Sequence, residues 1–481
     1  MNLKEKLNHP AFRLVGDAAD SLGREAYVIG GFVRDLFLER HSKDVDFVTV
    51  GGGIELAERV AELMAERSGR RPKLAVYANY GTVQLRHGDM ELEFVGARKE
   101  SYHRESRNPI VEDGTLDDDR MRRDFTINAM ATCVNADRFG ELVDPLGGLD
   151  DLHRRTIRTP LDPDVTFSDD PLRMMRAIRF ATQLHFFIAP DTFEAIKRNK
   201  DRINIITKER INDELGKIIR SDKPSTGFKL LDMSGLLEII FPELAALKGV
   251  ETQEGRGHKD NFLHTLQVLD NVAAKSDDEW LRWAALMHDI AKPVVKRYDK
   301  KLGWTFHNHN FIGEKMIPRV FRKMKLPLNE KMKFVAKMVG LHMRPQSVAD
   351  AGVSDSGVRR LITDAGDDLE SLMTLCEADI TSKIPEKVRR QLEGFARLRR
   401  RMDEINAADD YRNWKNPVNG NEIMERYGIP GCPLLADLKE GIKEAIFDGK
   451  IPNDHDAAIA YLDVLAKERR EDILALGGKV D

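Results

Sequence analysis

The periodicity of apolar residues changes once along the chain, and this change limits the folds open to it. In the first 150 residues, short β-rich runs such as 26–29, 45–50 and 91–95 alternate with helical stretches such as 54–66. From about residue 151 onward, amphipathic helical patterns follow one another between prolines and glycines, and the strand signal almost disappears. The pattern predicts an α+β fold, with a small mixed-sheet head followed by an all-α body.

Length and composition exclude several classes of protein. A chain of 481 residues corresponds to roughly three domains, at about 150 residues each. With 41% hydrophobic and 32% charged residues, the composition is that of a globular protein, so wholesale disorder is excluded. No run approaches the ~18 apolar residues of a membrane span, and the first residues lack the apolar core of a signal peptide. Three widely separated cysteines give no disulfide framework, so we expect a cytoplasmic protein without a membrane partner.

The charge balance restricts how the chain could bind nucleic acid. It carries 76 Lys and Arg against 80 Asp and Glu, a net charge of -4, whereas a protein that coats nucleic acid nonspecifically is usually basic. Contact with nucleic acid must therefore come from local patches, and basic residues outnumber acidic ones in 315–337 and in 383–401. Either patch also fits the simpler interpretation of a solvated helix face.

A strand, a diglycine turn and the start of a helix follow one another around Gly30 and Gly31. Glycine lets backbone N–H groups approach an anion closely, and the helix N-terminus adds a favourable dipole. Arg34, one turn into the helix, can add a bidentate contact to phosphate. The turn therefore predicts a phosphate site, although a diglycine turn is also common without any ligand.

Two carboxylates alternate in the strand that follows, at Asp44 and Asp46. Residues i and i+2 of a strand project from the same face, so these side chains lie next to each other. Adjacent carboxylates repel unless a cation lies between them, so the pair suits a divalent-metal clamp. A solvent-facing acidic strand at a sheet edge is the alternative interpretation. Glu93, in a third strand, can reach the same place. Three carboxylates holding two Mg²⁺ ions suit in-line transfer of a nucleotidyl group.

Taken together, these motifs and several downstream ones closely resemble the class II nucleotidyltransferases of the DNA polymerase β superfamily. That group contains the CCA-adding tRNA nucleotidyltransferases and the bacterial poly(A) polymerases. The matching segments are residues 30–35 (GGFVRD), 44–46 (DVD), 122–129 (RRDFTINA), 144–148 (DPLGG), 169–180 (DDPLRMMRAIRF) and 208–211 (KERI). They occur in the family's order and spacing and cover residues 25–245.

The resemblance implies a role for each residue of the head. It makes Asp44 and Asp46 the Mg²⁺ ligands, with Glu93 as the third acidic partner in a place where many relatives have Asp. It implies that Gly31 and Arg34 bind the triphosphate. It also implies that Arg123 and Asp124 bind the phosphates and sugar of the nucleotide.

The same resemblance implies that one helix of the body reads the incoming base. Asp170 and Arg173 match the residues that offer hydrogen-bonding groups to CTP or ATP, and Arg176 and Arg179 are supporting nucleotide contacts. On propensity alone, Asp170 is equally well explained as the N-cap of a helix whose first residue is Pro171.

A second set of metal-ligand residues lies in the helical body. His264 falls in one helical pattern (262–272), His288 and Asp289 in a second (280–290), and Asp379 in a third (368–379). This order resembles the HD phosphohydrolase superfamily, which implies a divalent metal of unspecified identity and hydrolysis of phosphate esters. Imidazole and carboxylate ligands suit such a metal. Two further histidines, His309 and His342, are plausible extra ligands of a two-metal version.

The predicted organisation has four parts. Residues 1–150 form the nucleotidyltransferase head, 151–250 a neck with the base-recognition helices, 251–385 the HD domain and 386–481 a helical tail. The tail resembles the C-terminal region of the family and is expected to bind tRNA. The polar stretch 100–118 is predicted to be a loop, at the place where the family needs a mobile element to change from CTP to ATP.

The function that these features predict is template-independent addition of CCA to the 3′ end of tRNA from CTP and ATP, with release of pyrophosphate. A poly(A) polymerase, or a partial enzyme adding only CC or only A, is the alternative within the same class. A protein that acts mainly as an HD phosphohydrolase is the alternative from another class. The intact head residues argue against that last alternative, and the sequence gives no indication of oligomeric state.

Overall fold

The computed structural model describes residues 1–77, 81–101, 110–253, 256–257, 260–350, 352–382, 384–408, 411 and 414–480. The chain divides into two compact units. The first comprises Met1–Ala246 and Lys323–Leu326, and the second comprises Leu247–Arg322 and Pro327–Asp481. In the residues described, no helix combines the length and the apolar character needed to cross a membrane.

The first unit contains a mixed α and β head followed by short helices. Its strands are β1 (Ala26–Ile29), β2 (Asp44–Thr49), β3 (Ala75–Tyr77), β4 (Thr82–His87), β5 (Met90–Gly96), β6 (Arg98–Ser101), β7 (Ile110–Asp113), β8 (Ala131–Cys133), β9 (Leu142–Val143), β10 (Thr156–Ile157) and β11 (Phe187–Ile188). Its helices are α1 (Pro10–Ser21), α2 (Gly31–Phe37), α3 (Gly53–Ser68), α4 (Leu116–Met121), α5 (Gly148–His153), α6 (Pro163–Asp169), α7 (Leu172–Leu184), α8 (Pro190–Asn199), α9 (Lys208–Ile219), α10 (Pro224–Met233), α11 (Leu236–Ile240) and α12 (Pro242–Ala245).

Seven strands form the main sheet of the head, in the order β3-β4-β5-β2-β1-β8-β9. β1 pairs antiparallel with both β2 and β8, whereas β2 pairs parallel with β5. A parallel pair needs a crossover, and α3 lies in the chain between β2 and β5. The sheet is therefore mixed, and the predicted α+β class is confirmed.

The two faces of β2 have different surroundings. Phe47 stacks on Phe94 of β5 with ring centroids 5.2 Å apart, and Phe12 of α1 lies 6.2 Å from Phe47, so this face is packed into the core. The opposite face carries Asp44, Asp46 and the buried Val48. The alternation of side chains along a strand therefore fixes one end of this face as the place for charged groups.

The polar stretch 100–118 differs from the single loop that the sequence predicts. β6, which overlaps its start, pairs antiparallel with β7, with Arg98 opposite Asp113, and α4 begins at Leu116. Thr115 caps α4 through a reciprocal pair of hydrogen bonds with Asp118. A capping box of this kind starts a helix even in a polar segment without apolar periodicity. Residues 102–109 lie outside the described part.

The described residues of the second unit are helical apart from two short antiparallel strand pairs. Its helices are α13 (Asn261–Ala273), α14 (Glu279–Met287), α15 (Lys292–Val295), α16 (His309–Met324, whose last two residues belong to the first unit), α17 (Glu330–Leu341), α18 (Arg344–Asp350), α19 (Asp355–Ala365), α20 (Leu369–Ala378), α21 (Pro385–Ala408), α22 (Gly420–Tyr427), α23 (Pro433–Phe447), α24 (His455–Glu468) and α25 (Arg470–Ala475). Its strands are β12 (Thr252–Gln253), β13 (Arg256–Gly257), β14 (Arg297–Asp299) and β15 (Gly303–Thr305).

Four helices of this unit, α13, α14, α17 and α20, pack against one another around a buried centre. The sequence places His288 and Asp289 inside a helix, but α14 ends at Met287 and both residues lie in the turn that follows. The helical periodicity continues past this point because Ile290 and Ala291 are also buried in the core. The apolar residues of this buried turn therefore extend the helical pattern in the sequence beyond the end of the helix.

A close approach between α1 and the strand region supplies a test of the fold. A Cβ added to Gly16 would lie 2.1 Å from the backbone oxygen of Val134, which cannot move freely. We expect Gly16→Ala to lower the free energy of unfolding by about 1–3 kcal/mol, since overpacking outweighs the helix propensity of alanine. Urea unfolding followed by circular dichroism measures the change. Gly420→Ala is the matched control, because nothing lies within 4 Å of its added Cβ. An unchanged midpoint for Gly16→Ala would contradict the packing described.

Candidate active site and metal centre

The diglycine turn lies next to the acidic strand. Gly30 has φ +85°, a conformation that L side chains rarely adopt, and it connects β1 directly to α2. A Cβ added here would lie 3.1 Å from Arg123 Nη1 and 3.5 Å from Asp46 Oδ2. Glycine is therefore required both by the backbone and by the side chains that crowd the turn.

The register of the parallel pair brings the predicted acids to one place. Asp46 is directly opposite Glu93 of β5, and Ile29, the residue before the turn, is opposite Asp46 on the other side. Burial raises the pKa of Asp46, Arg123 lowers it, and the negative charges of Glu93 and Asp44 raise it further. This cluster of acids is short of positive charge, so a bound cation would stabilise it.

The three acids do not form a closed metal cage. Within the described residues, the groups of three or more His, Cys, Asp or Glu side chains close enough to share an ion all lie in the second unit. Glu93 accepts a hydrogen bond of 2.8 Å from Gln84 Nε2. An open arrangement fits Mg²⁺, which usually binds one or two carboxylates and completes its shell with water and substrate phosphates.

Asp119 organises the arginines of the site, and the sequence reasoning missed it. Its carboxylate is fully buried, accepts from Arg122 Nε at 2.9 Å, and lies 3.1 Å from Arg123 Nη2. No signal within its own segment identifies it, because the acidic run at the start of α4 does not show which carboxylate is buried. Asp119 thus holds Arg123 in the orientation that faces Asp46.

Asp124 forms the next part of the network. It accepts hydrogen bonds from Arg176 Nε at 2.7 Å, Asn128 Nδ2 at 3.0 Å and the Phe125 N–H at 2.9 Å. Burial alone would raise the pKa of Asp124, but Arg176 and Asn128 outweigh it and lower the pKa to about 2. Asn128 Oδ1 in turn accepts from Arg34 Nη1 at 2.9 Å. Arg34, assigned to the triphosphate, and Asp124, assigned to the phosphates and sugar, are therefore joined in one hydrogen-bonded network.

The arginines of α7 make different contacts instead of forming a solvated stripe. Arg173 donates to the backbone oxygen of Arg122 at 2.6 Å, and Arg179 pairs with the buried Glu214 at 2.6 Å. Burial lowers the pKa of Arg179 to about 10, although Glu214 opposes this shift. Since Glu214 already neutralises it, Arg179 is less available to a nucleotide than the resemblance implies.

Asp170 adopts the conformation of a helix N-cap, while the helix itself is assigned from Leu172. Its backbone is extended (φ -133°, ψ 100°), Pro171 already has helical dihedrals, and Asp170 Oδ1 accepts from the Leu172 N–H at 3.1 Å. The other oxygen, Oδ2, lies 3.6 Å from Arg210. The capping role uses one oxygen and leaves Oδ2 beside Arg210, a residue that sequence reasoning quoted in a motif without assigning it a role.

The second unit contains the other predicted metal centre. His264, His288 and Asp379 form one group of ligand-type side chains, and Asp289, His309 and His342 form another. Burial lowers the pKa of His264 and His309, and that of His342 to about 4, so these rings are neutral at pH 7. The pKa of His288 is raised, because Asp289 outweighs the effect of burial. Neutral imidazoles beside ionised carboxylates are the donor set that a divalent transition metal takes, so the residues fit such an ion.

Comparison with protein families agrees with this division of chemistry. Residues 26–158 match the poly A polymerase head domain, 185–248 match the probable RNA and SrmB-binding site of polymerase A, and 261–384 match the HD domain.

Known proteins resemble a larger part of the chain. It is 33% identical over 354 residues to the A-adding tRNA nucleotidyltransferase of Deinococcus radiodurans, which covers 71% of the chain and 78% of that protein. The chain belongs to the tRNA nucleotidyltransferase family. It is also 32% identical over 313 residues to the multifunctional CCA protein of Shewanella frigidimarina, covering 63% of the chain and 70% of that protein. A crystal structure of a tRNA nucleotidyltransferase complexed with a primer tRNA and an incoming ATP analogue superposes with a TM-score of 0.54, at 26% identity, over 80% of the chain and 99% of that structure.

Family membership makes the protein a nucleotidyltransferase with an HD domain. It does not assign roles to individual residues, so the catalytic and binding roles of Asp44, Asp46, Glu93, Arg123 and Asp170 stay predictions. The same is true of the four-part division of the chain.

The ion pair of Asp124 and Arg176 predicts a pH-dependent contribution to stability. The pKa of Asp124 in the folded protein, about 2, is below the ordinary value of 3.8, so the ionised carboxylate stabilises the folded state above pH 3.8. We expect Asp124→Asn to cost about 2 kcal/mol at pH 7, and the cost to shrink as the pH falls from about 4 towards 2. Urea unfolding at pH 7 and pH 3 measures this difference.

The exposed Asp137 provides the control, since Asp137→Asn changes the same charge outside the network. If Asp124→Asn lowered the free energy of unfolding equally at both pH values, the stabilisation would come from packing and not from the charge of the carboxylate.

Proposed function

We propose that the protein adds CCA to the 3′ end of tRNA without a nucleic-acid template, using CTP and ATP and releasing pyrophosphate. One observation carries the proposal: the register of β2 and β5 places Asp46 beside Glu93, next to the Gly30 turn and Arg123. Acids short of positive charge, beside a turn that a phosphate can approach, suit transfer of a nucleotidyl group. The likeness to relatives named for A addition and for CCA addition supports the same reaction.

In this proposal the head binds the triphosphate and aligns it with the RNA end. Gly31 and Arg34 bind the triphosphate, and Arg123, which Asp119 holds in place, also contacts it. Asp44, Asp46 and Glu93 hold Mg²⁺. Bound Mg²⁺ supplies an electrophile for the phosphates and favours ionisation of the attacking 3′-hydroxyl. The 3′ oxygen bonds to the α-phosphorus as the bond to pyrophosphate breaks, and the hydroxyl proton passes to solvent.

Selection of the base is assigned to α7. The Oδ2 atom of Asp170, which does not cap the helix and lies 3.6 Å from Arg210, is an acceptor for an exocyclic amino group, which both cytosine and adenine carry. Arg173 is a donor for a ring acceptor, but in this structure it donates to the Arg122 backbone oxygen and would have to exchange that partner. Arg176 is paired with Asp124, and this ion pair would hold in place the side chains that contact the nucleotide.

An enzyme that adds only the terminal A is the second candidate. The specific observation in its favour is the relative from Deinococcus radiodurans, which is named as A-adding and aligns with 71% of this chain. The two candidates differ in their primer, because a full CCA enzyme extends tRNA that ends at the discriminator base, whereas an A-adding enzyme requires tRNA that already ends in CC.

The second unit is assigned two further roles. The HD centre would hydrolyse phosphate esters with a divalent metal, and α21 with the tail would contact tRNA. Part of the basic patch in α21 is already used in the fold, since Arg399 pairs with Glu377 and Arg401 with Asp355, each at 2.7 Å. The RNA contacts would therefore come from other exposed basic residues of α21, such as Arg390, Arg397 and Arg400.

The test uses tRNA transcripts that lack CCA or end in CC, incubated with Mg²⁺ and CTP, ATP or both. We expect extension by three nucleotides when both triphosphates are present, and addition of only C when CTP is alone. Asp46→Asn should lower the rate roughly a thousandfold, because metal ions supply several kcal/mol of transition-state stabilisation. Product lengths on a sequencing gel measure both effects.

Asp89→Asn is the matched control, since Asp89 lies in the turn before β5 with a side chain 60% exposed. Extension of CC-ending tRNA only would replace the proposal with A addition. A long adenosine ladder on unrelated RNA would replace it with a poly(A) polymerase, and full activity of Asp46→Asn would remove the proposed metal site.

A further inference from the structure

A cavity at one edge of the head sheet carries a charge opposite to that of the acids on β2 and β5. Its volume is about 500 Å³, and it lies beside β3, β4 and β5. The segment that leads from α3 to β3 supplies one part of its wall, and β4 with β5 supplies the other. We call this cavity the basic pocket, because its charged lining consists of four basic residues and one acid: Arg70, Arg71, Lys73 and Arg86, and Glu91.

The register of the sheet joins the basic pocket to the proposed Mg²⁺ site. Gln84 of β4 is opposite Glu93 of β5, which is opposite Asp46 of β2. Residues directly opposite each other project from the same face, so these three side chains form one row across three strands. Gln84 lines the pocket, and its Nε2 donates to Glu93 Oε2 at 2.8 Å. The pocket therefore begins directly beside the acid of β5.

Most of the positive charge in the pocket is not neutralised within the fold. Arg86 forms an ion pair with Glu91, the one acid of the pocket, and both side chains are more than half exposed. The other three basic side chains, Arg70, Arg71 and Lys73, are also exposed, and no carboxylate among the described residues pairs with them. Three adjacent cations are therefore available to an anionic ligand.

Stabilisation of α3 does not account for these cations. The helix ends one residue before Gly69, which has a left-handed backbone with φ +72°. A helix dipole favours cations only within the last turn, where Arg67 already lies. Lys73 is beyond that turn, and Arg86 belongs to a different strand. Pro72 restricts the backbone of the connecting segment and so limits how far its cations can move from the sheet edge.

The direction of the proposed reaction determines which substrate meets the basic pocket. In the proposed function the triphosphate binds at the diglycine turn and Arg34, on the β1 side of the acids. The attacking and leaving oxygens of a phosphoryl transfer lie roughly in line, so the 3′-hydroxyl of the RNA approaches from the other side. On that side of β2 the sheet continues with β5, β4 and β3. The RNA strand behind the reacting hydroxyl is therefore directed over the basic pocket.

The dimensions of the sheet give the position of the contact along the RNA. Neighbouring strands are about 4.8 Å apart, so Gln84 lies roughly 10 Å and β3 roughly 14 Å from Asp46 across the sheet. A stacked nucleic-acid strand advances about 3.4 Å per nucleotide, so these distances correspond to roughly three or four nucleotides.

We propose that the basic pocket binds the phosphodiester backbone of the tRNA primer, roughly three or four nucleotides before its reacting 3′ end. Phosphate contacts of this kind fix the register of a strand without reading its bases. Gln84 then has two neighbours, since it holds Glu93 and borders the bound strand. The inference rests on the proposed function, from which it takes the direction of attack.

Binding of a tRNA transcript that ends in CC, without any triphosphate, tests the proposal. Arg70→Ala, Arg71→Ala and Lys73→Ala are combined in one triple variant of the full-length chain. We expect the triple variant to raise the Kd at least tenfold at low salt. It should also lower the slope of log Kd against log salt concentration by about 2–3, because each lost phosphate contact contributes roughly 0.7–0.9. Fluorescence anisotropy of a tRNA labelled in its anticodon loop measures both quantities.

Lys4 provides the matched control at the opposite edge of the same sheet. Its side chain is exposed, and the preceding Leu3 donates to the backbone oxygen of Gly140, just before β9. We expect Lys73→Ala to lower the salt slope by about 0.7–0.9 and Lys4→Ala to leave it unchanged. Exchange of the three cations for one another (Arg70→Lys, Arg71→Lys and Lys73→Arg) should restore most of the affinity, since phosphate binding requires the charge. An unchanged Kd and salt slope in the triple variant would overturn the proposal.

A shortened tRNA locates the contact. A transcript without its last four nucleotides should bind equally well to the triple variant and to the parent chain. A tenfold difference that persists with this transcript would place the contact elsewhere on the tRNA and overturn the proposal. A higher KM for ATP in the triple variant, with unchanged tRNA affinity, would assign the pocket to the triphosphate and overturn it too.

CCA addition by the same proteins separates this inference from the proposed function. If the parent chain adds CCA and the triple variant binds tRNA as tightly as the parent, the proposed function holds and the inference fails. If tRNA binding depends on the pocket but no nucleotide is added, the inference about the surface holds and the proposed function fails.

Discussion

The parallel pairing of β2 with β5 is the constraint on which the head depends. It places Glu93 opposite Asp46 in a partly buried position, where carboxylates repel each other and lose hydration. Arg123 balances part of this charge, and it is oriented by the buried Asp119. The diglycine turn fits beside this cluster because Gly30 has no side chain. A one-residue shift of β5 would move Glu93 to the other face and leave the arrangement without its third acid.

Charge compensation also explains two buried ion pairs elsewhere in the first unit. Asp124 with Arg176, and Glu214 with Arg179, are pairs in which both partners are largely buried or half-buried. Removing one partner of such a pair leaves a buried charge unpaired, which costs several kcal/mol. These pairs therefore fix the position of α7 within the first unit. Arg176 and Arg179 therefore already have partners within the fold.

Sequence patterns predicted the local parts of the site and missed the parts that depend on distant segments. The i, i+2 spacing of Asp44 and Asp46 placed both on one face of a strand, as the structure has them. Asp119 was missed, because nothing within its own segment indicates that it is buried beneath Arg123. The turn holding His288 was assigned to a helix, since its burial produces the periodicity of one. The role of each residue came from resemblance and could not be obtained from spacing.

By itself, the sequence determined the class of fold and the types of ligand. Backbone geometry acts over a few residues, so the alternation in β2 and the order of histidines and aspartates in the helical body can be read directly from the chain. The tertiary structure decided which of these groups meet. Only the packing of α13, α14, α17 and α20 brings His264 and His342 to opposite oxygens of Asp289, because segments separated by dozens of residues are joined by folding and not by local geometry.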